Sequence, residues 1–284
     1  MINLQPLIAS ANQLKPLPET ITRLVELLAN EDVHIDDIED VFSYDAALSA
    51  RLLRQANSVA AGGNQKVGTI SAAVIRLGLG NVLALAIAAS TQDDLDGPIP
   101  QYGLGEGDLW EHSQGARLAV DGLRKYGKVA VPPEAPTAAL LHDVGKIVLA
   151  RHLDPLILKL LRRASGHADK ITMAAESEIL QVHHGELGGL IAQHWQLPDV
   201  IVRGIIYHHD PERCTETNNH ICHIVGLANW LSKVASAKLR GQTCAVGAPS
   251  SFAHLKLDQA RVDKVVDYIV EGLQGLGYSG NKTD

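Results

Sequence analysis

Apolar residues recur along this chain at helical spacing. Over 18–29, Ile21, Leu24, Val25 and Leu28 follow Pro18-Glu19-Thr20 at offsets of three, four and seven, which puts them on one helix face. The stretches 35–43 and 45–57 repeat the pattern, with Asp45 placed to cap the second ahead of Leu48, Leu52 and Leu53. A glycine-containing loop is expected over 60–68. Two short apolar helices, 71–77 and 81–89, follow it, with Gly78 and Gly80 as breakers between them. Further helices are predicted over 108–126, 137–150, 155–163, 172–182, 184–195, 198–208 and 219–239. A turn is expected over 131–136 and a loop over 241–251. The last helix, 258–273, is amphipathic, with Val262, Val265, Val266 and Ile269 on one side. No stretch alternates as a strand would, and no internal repeat is evident. The pattern predicts an all-α protein in which an N-terminal helical lobe packs on a helical bundle.

The stretch from Asp93 to Gly107 reads as a linker, because it carries Asp96-Gly97-Pro98, Ile99-Pro100 and three further glycines. The expected organisation is a first lobe over 1–95, a connection over 96–107, a second lobe over 108–276 and a polar tail over 277–284.

Composition narrows the function classes. Hydrophobic residues make up 46% of the 284 positions but aromatics only 4%, so the core is built from Leu, Val, Ile and Ala. The formal net charge of −7 gives no global attraction to nucleic acid or to an anionic membrane. The longest basic runs are the pairs Arg124-Lys125 and Arg162-Arg163. Neither nucleic acid nor membrane is therefore expected as a partner. Three cysteines, Cys214, Cys222 and Cys244, lack zinc-finger or redox spacing, and their odd number fits a reducing compartment. They read as small buried hydrophobes or inert thiols. With no signal-peptide pattern and no apolar run of ~18 residues, a cytoplasmic location is expected.

The thirteen histidines are the compositional oddity, and their placement matters more than their number. His112 stands in Leu-Trp-Glu-His-Ser. His142 and Asp143 stand in Leu-Leu-His-Asp-Val-Gly-Lys, His184 in His-His-Gly-Glu-Leu-Gly, and His208 and His209 in Tyr-His-His-Asp-Pro-Glu. Imidazoles with a carboxylate suit one or two divalent ions such as iron, manganese, zinc or nickel. Ligands so far apart in sequence converge if their helices pack as a bundle. Asp143 follows the apolar run Ala138–Leu141, where a lone carboxylate is costly unless it is paired or bound to a cation. Gly145 permits close helix packing there, and Lys146 can meet an anion such as phosphate. Asp108 sits four residues before His112 and shares its helix face. Taken singly, each of these residues has an ordinary reading as a packed histidine, a helix-end residue or a solvated charge. The ordered set carries more weight than its members. The histidines at 34, 152, 167, 194, 220, 223 and 254 fall outside the pattern and read as structural.

The adjacent His142-Asp143, preceded by His112, resembles the HD superfamily of metal-dependent phosphohydrolases. Its distal aspartate would fall in Ile224-Val225-Gly226-Leu227-Ala228-Asn229, where this chain has Asn229. His184, His208 and His209 are similar to the extra histidines of the two- and three-metal branch, which includes the HD-GYP cyclic-di-GMP phosphodiesterases. The Gly-Tyr-Pro element of that branch is missing after His209. Leu17-Pro18, Tyr44-Asp45-Ala46-Ala47-Leu48, Asn57-Ser58, Ile70 to Gly78, His184 to Gly188, Trp195-Gln196-Leu197-Pro198 and His208-His209-Asp210-Pro211 together resemble the HDOD family, over roughly residues 10–240. That resemblance implies a non-catalytic signalling or scaffolding module with a protein partner, of the kind that accompanies receiver or GGDEF domains. The HD resemblance implies His112, His142, Asp143, His184, His208, His209 and Asn229 as the metal-ligand set. It also implies Asp143 and Lys146 as the residues of any phosphoryl chemistry, on a nucleotide or cyclic dinucleotide. The signalling reading is favoured over the phosphohydrolase, because Asn229 removes a charge and no substrate-specificity motif is present. A nucleic-acid-binding regulator is the weakest reading. Oligomeric state is open, since dimer faces and core faces share one periodicity.

Overall fold

The computed structural model describes residues 5–11, 13–30, 32–58, 65–166, 171–215, 219–244 and 246–279. Among them the regular elements are helical, apart from one isolated antiparallel bridge between Ile99 and Leu104. The first part of the chain forms α1 (Gln5–Ala11), α2 (Glu19–Leu28), α3 (Ile35–Ser43), α4 (Ala46–Ala56), α5 (Ile70–Leu77) and α6 (Leu79–Asp96). The middle forms α7 (Asp108–Gly122), α8 (Ala135–Leu141), α9 (Gly145–Arg151), α10 (Pro155–Ser165) and α11 (Met173–Leu180). The remainder forms α12 (His184–His194), α13 (Asp199–Ile206), α14 (His220–Leu239), α15 (Ser251–His254) and α16 (Gln259–Gly275). Part of the loop expected over 60–68, His167 and the end of the tail lie outside the described residues.

The helix starts obey local chemistry. Asp45 accepts a hydrogen bond from the Leu48 amide at 2.9 Å, as its position before α4 predicts. Thr172 caps α11 and Asp258 caps α16 in the same way.

Two expected elements differ. The helix expected over 81–89 begins at Leu79 and continues to Asp96, so Gly80, expected as a breaker, lies inside it and only Gly78 breaks the chain there. Thr91 and Leu95 extend the buried face of Ala84, Ile87 and Ala88 at helical spacing, although Ser90, Gln92, Asp93 and Asp94 interrupt the apolar run. Beyond α6, Ile99 and Tyr102 are buried as well. The single helix expected over 137–150 is two, α8 and α9, with His142, Asp143 and Val144 at the corner. Backbone bonds there tighten to three-residue spacing, from Val144 N to Leu141 O at 3.0 Å and from Lys146 N to Asp143 O at 3.0 Å.

One apolar cluster runs from Leu7 in α1 to Leu273 in α16. Within it α7 packs against α8, α14 and α16, α13 joins α8 to α14, and α12 lies against α9 and α13. Two glycines set how closely these elements approach. A Cβ on Gly145 would lie 1.9 Å from the His184 carbonyl oxygen, and one on Gly226 would lie 2.5 Å from the His208 carbonyl oxygen. Among the described residues no single helix is long and apolar enough to cross a membrane. The pair α5 and α6 has the length and apolarity together but is bent by 107°.

Gly145→Ala is expected to lower stability by about 2–3 kcal/mol, because backbone rather than a flexible side chain must yield. Gly247→Ala, where a Cβ meets nothing within 4 Å, should change stability by less than about 0.5 kcal/mol. Urea denaturation of the two variants checks this. Equal midpoints would show that the α9–α12 contact has room for a Cβ and would overturn this account of Gly145.

Candidate metal centre

The residues singled out by spacing, and Asn229, which the family resemblance implied, come together. His112 comes from α7, His142 and Asp143 from the α8–α9 corner, and Lys146 from the first turn of α9. His184 opens α12, His208 and His209 follow α13, and Asn229 lies within α14. Asp143 is 1% exposed and sits at the middle.

Helix ends aim two of the rings. His142 stands just past the end of α8, and its Nδ1 lies 2.7 Å from the carbonyl oxygen of Ala139. His208 stands just past α13, with Nδ1 2.7 Å from the carbonyl oxygen of Ile205. A carbonyl oxygen only accepts, so Nδ1 carries the proton in both rings and Nε2 is turned inward. These carbonyls belong to the last helical turn, where no further amide follows to bond them. His184 is aimed differently. Its Nδ1 lies 2.7 Å from Glu176 Oε2, and its own amide donates to the same oxygen at 2.8 Å. Glu176 is fully buried on α11, and its other oxygen accepts from the Tyr102 hydroxyl at 2.7 Å. Each of these three rings thus has its outer nitrogen fixed by a partner, the arrangement that orients imidazole ligands at metal sites.

The inward atoms form two groups around Asp143. His112, His142 and Asp143 form the first, and His184, His208, His209 and Asp143 the second. The ligand atoms within each lie within 4.8 Å of one another. In the first, His112 Nε2 lies 3.2 Å from His142 Nε2, 3.1 Å from Asn229 Oδ1 and 3.5 Å from Asp143 Oδ2. One N–H cannot serve three acceptors, so lone pairs are left facing one another. In the second, Asp143 Oδ1 lies 3.2 Å from His184 Nε2 and 3.8 Å from His208 Nε2. His184 Nε2 and His209 Nε2 are 3.0 Å apart. Asp143 Oδ1 and His208 Nε2 are buried without a hydrogen-bond partner. Buried orphan acceptors beside a carboxylate are a donor set that fits a divalent cation.

Electrostatics agrees for most of the set. Burial would raise the Asp143 carboxyl, but the Lys146 ammonium, 2.6 Å from its Oδ2, and the neighbouring His142 hold it well below the ordinary range. Burial pushes His112 and His208 well below the usual imidazole range, which keeps them neutral as ligands must be. His184 goes the other way. Burial would lower it, but the carboxylates of Glu176 and Asp143 outweigh that and raise it.

Beside the first group opens a cleft of about 350 Å³ lined by His112, Asp143, Lys146, Lys233 and Arg240. Asp108 also borders this cleft. Its Oδ2 accepts from the Gly105 amide at 2.7 Å, and it is not part of either ligand group. Of the remaining histidines, His152 lies 2.7 Å from Ser10 Oγ, and His223 stacks on His254 with ring centroids 3.6 Å apart. Cys214 and Cys222 are buried, and burial pushes the Cys222 thiol up to about 12.

Glu176 and Tyr102 were not among the residues singled out by sequence. Glu176 is a buried carboxylate on a short helix with no motif around it, and Tyr102 falls in the stretch that reads as a linker. The signal that could have found Glu176 is its place among Ala175 and Leu180 on the buried side of α11.

The HDOD domain model matches residues 14–211. Asn229 lies beyond the matched stretch. The crystal structure of an HDOD domain protein of unknown function from Geobacter sulfurreducens is 25% identical, with a TM-score of 0.63 over 98% of this chain and 91% of that one. A Shewanella amazonensis protein provisionally named a phosphohydrolase is also 25% identical, with a TM-score of 0.65 over 96% of this chain and 98% of that one. An uncharacterised protein of Treponema pallidum is 27% identical over 226 residues, 77% of this chain. The chain spans 42% of the length of that curated relative. With the family model covering well over half of its residues, this chain belongs to the HDOD family.

Proposed function

We propose that this chain is an HDOD signalling module whose histidine–aspartate cluster holds one or two divalent ions and turns substrate over weakly or not at all. The observation that carries this reading is Asp143. One of its oxygens faces His112 and His142, and the other faces His184 and His208. His112, His142, Asp143 and Asn229 would hold a first ion, and Asp143, His184, His208 and His209 a second. Nitrogen and oxygen donors suit iron, manganese, zinc or nickel. When bound, such an ion supplies Lewis acidity and lowers the pKa of coordinated water toward neutrality.

Two features argue for weak chemistry. Asn229 contributes an amide oxygen without charge, so the first group has a single carboxylate. Lys146 already lies against that carboxylate, which leaves the centre with less negative charge to offset a divalent ion. Its output as a signalling module is contact with a partner protein, altered by what the centre holds.

A second reading is a phosphohydrolase or phosphodiesterase acting on a nucleotide or cyclic dinucleotide. The cleft supports it. The opening adjoins His112 and Asp143, and Lys146 at its edge would offset charge on a phosphate oxygen.

Elemental analysis of protein purified without chelators separates these readings from an empty cluster. Wild type is expected to carry at least one ion per chain, and His142→Ala to lose it while keeping its helical circular dichroism. Metal-free wild type would overturn both readings. Glu176→Gln keeps the packing but removes the charge that aims His184, and should weaken metal affinity by about 10–100-fold in a competition titration. Unchanged affinity would remove Glu176 from the site. With manganese and a bis-aryl phosphodiester, wild type should turn over no faster than His142→Ala. Asn229→Asp should exceed both by about tenfold or more if the missing charge is what limits chemistry. Turnover in wild type that His142→Ala abolishes would favour the enzyme.

A further inference from the structure

A second cavity lies away from the histidine cluster and has a charge of its own. It measures about 210 Å³ and lies between α4, α5, α6, α7 and α16. Four cations line it, Arg76, Arg117, Arg124 and Lys125, against the single carboxylate of Asp121. The chain as a whole carries −7, so this concentration of positive charge is local and not a reflection of composition. Arg124 and Lys125 come from the π-helical turn Leu123–Gly127 that closes α7, a widened turn of the sort often found at functional sites.

The internal partners do not use up this charge. Asp121 is shared by two arginines, at 3.5 Å from Arg117 Nη1 and 3.7 Å from Arg124 Nη1, and it also accepts from Asn81 Nδ2 at 2.8 Å. Arg117 is 1% exposed, and its Nη2 has no hydrogen-bond partner. An unsatisfied N–H on a buried guanidinium is costly, and an anionic acceptor beside it would recover that cost. Arg76 is held in place by donating to the carbonyls of Ala56 at 3.1 Å and Gln65 at 2.8 Å. The Lys125 ammonium stands 5.1 Å and 5.3 Å from the ring centroids of Tyr126 and Tyr268, which fixes its position without neutralising it. Asn81 Oδ1, also unpartnered, can accept from a ligand hydroxyl or a protonated phosphate oxygen.

We propose that this cavity binds a diphosphate group. Three positive charges in excess match the charge of a diphosphate, whereas a carboxylate would leave two of them unpaired. Guanidinium forks fit phosphate oxygens two at a time. A volume of about 210 Å³ is below that of a pocket enclosing a drug-sized ligand, so it takes pyrophosphate or the diphosphate end of a nucleotide whose remainder stays outside. This site shares no residue with the histidine cluster and does not depend on a metal there.

The test is isothermal titration calorimetry on the full chain, stripped of metal and kept in chelator, with pyrophosphate and ADP as probes and chloride at matched ionic strength as the control. Pyrophosphate is expected to bind, and the Arg124→Ala/Lys125→Ala double variant to weaken it by about tenfold or more. ADP binding as well as pyrophosphate would assign the group to a nucleotide, and pyrophosphate alone would assign it to the free anion. Neither probe binding wild type would overturn the site. So would binding that survives the double variant and is lost in Lys233→Ala, because that places the anion in the cleft beside His112. A crystal soaked in pyrophosphate gives a readout that needs no variant. Density between Arg117 and Arg124 supports the site, and density confined to the cleft by Lys146 overturns it.

Discussion

A carboxylate at 1% exposure in a helical core needs partners of opposite charge or a cation, because burying it alone costs several kcal/mol. Asp143 meets that requirement with Lys146 on one oxygen and imidazoles around both. The rest of the cluster is arranged to keep those imidazoles there. The α8–α9 corner exists where Asp143 must face inward, and Gly145 lets the His184 end of α12 come within backbone contact of that corner. Gly226 does the same for the His208 carbonyl against α14. Packing of the bundle and placement of the site are therefore one constraint, and a side chain added at either glycine would move ligands and helices together.

The orientation of the rings follows from ordinary features of helix ends. A final turn leaves carbonyl oxygens without amides. His142 and His208 each fill one of these three residues back, and in doing so turn Nε2 to the centre. His184 has no such carbonyl and takes Glu176, itself held by Tyr102. The first group contains a neutral amide, Asn229, where a second carboxylate would balance a divalent charge more fully. Such a cluster keeps its donors close together while having less negative charge to attract an ion, and the proposed signalling reading rests on that balance.

Much of this was legible in the order of residues. The 3.6-residue period placed α2, α3, α4 and α16 closely, and Asp45 announced its cap. His112, His142, Asp143, Lys146, His184, His208 and His209 are legible from their types and order, and Asn229 from the resemblance to the HD superfamily. Three things were not legible. Thr137 to Leu141, leading into the corner at His142–Val144, contains no glycine or proline, so the apolar run reads as continuous. The last turn of α6 is hidden by Ser90, Gln92, Asp93 and Asp94, which break the run but not the buried face. Glu176 and the unpaired Nη2 of Arg117 depend on which helices become neighbours, and local periodicity carries no record of that.

X-ray absorption at the metal edge of the zinc-loaded chain reports the atoms around the ion and not merely its presence, and so probes the convergence of imidazoles on Asp143. The account predicts a first shell of nitrogen and oxygen at about 2.0–2.2 Å with the outer-shell scattering of several imidazoles. If both groups fill, it also predicts a metal neighbour at about 3.5–4 Å. A sulfur shell at about 2.3 Å, or a shell of oxygen alone without imidazole scattering, would contradict it.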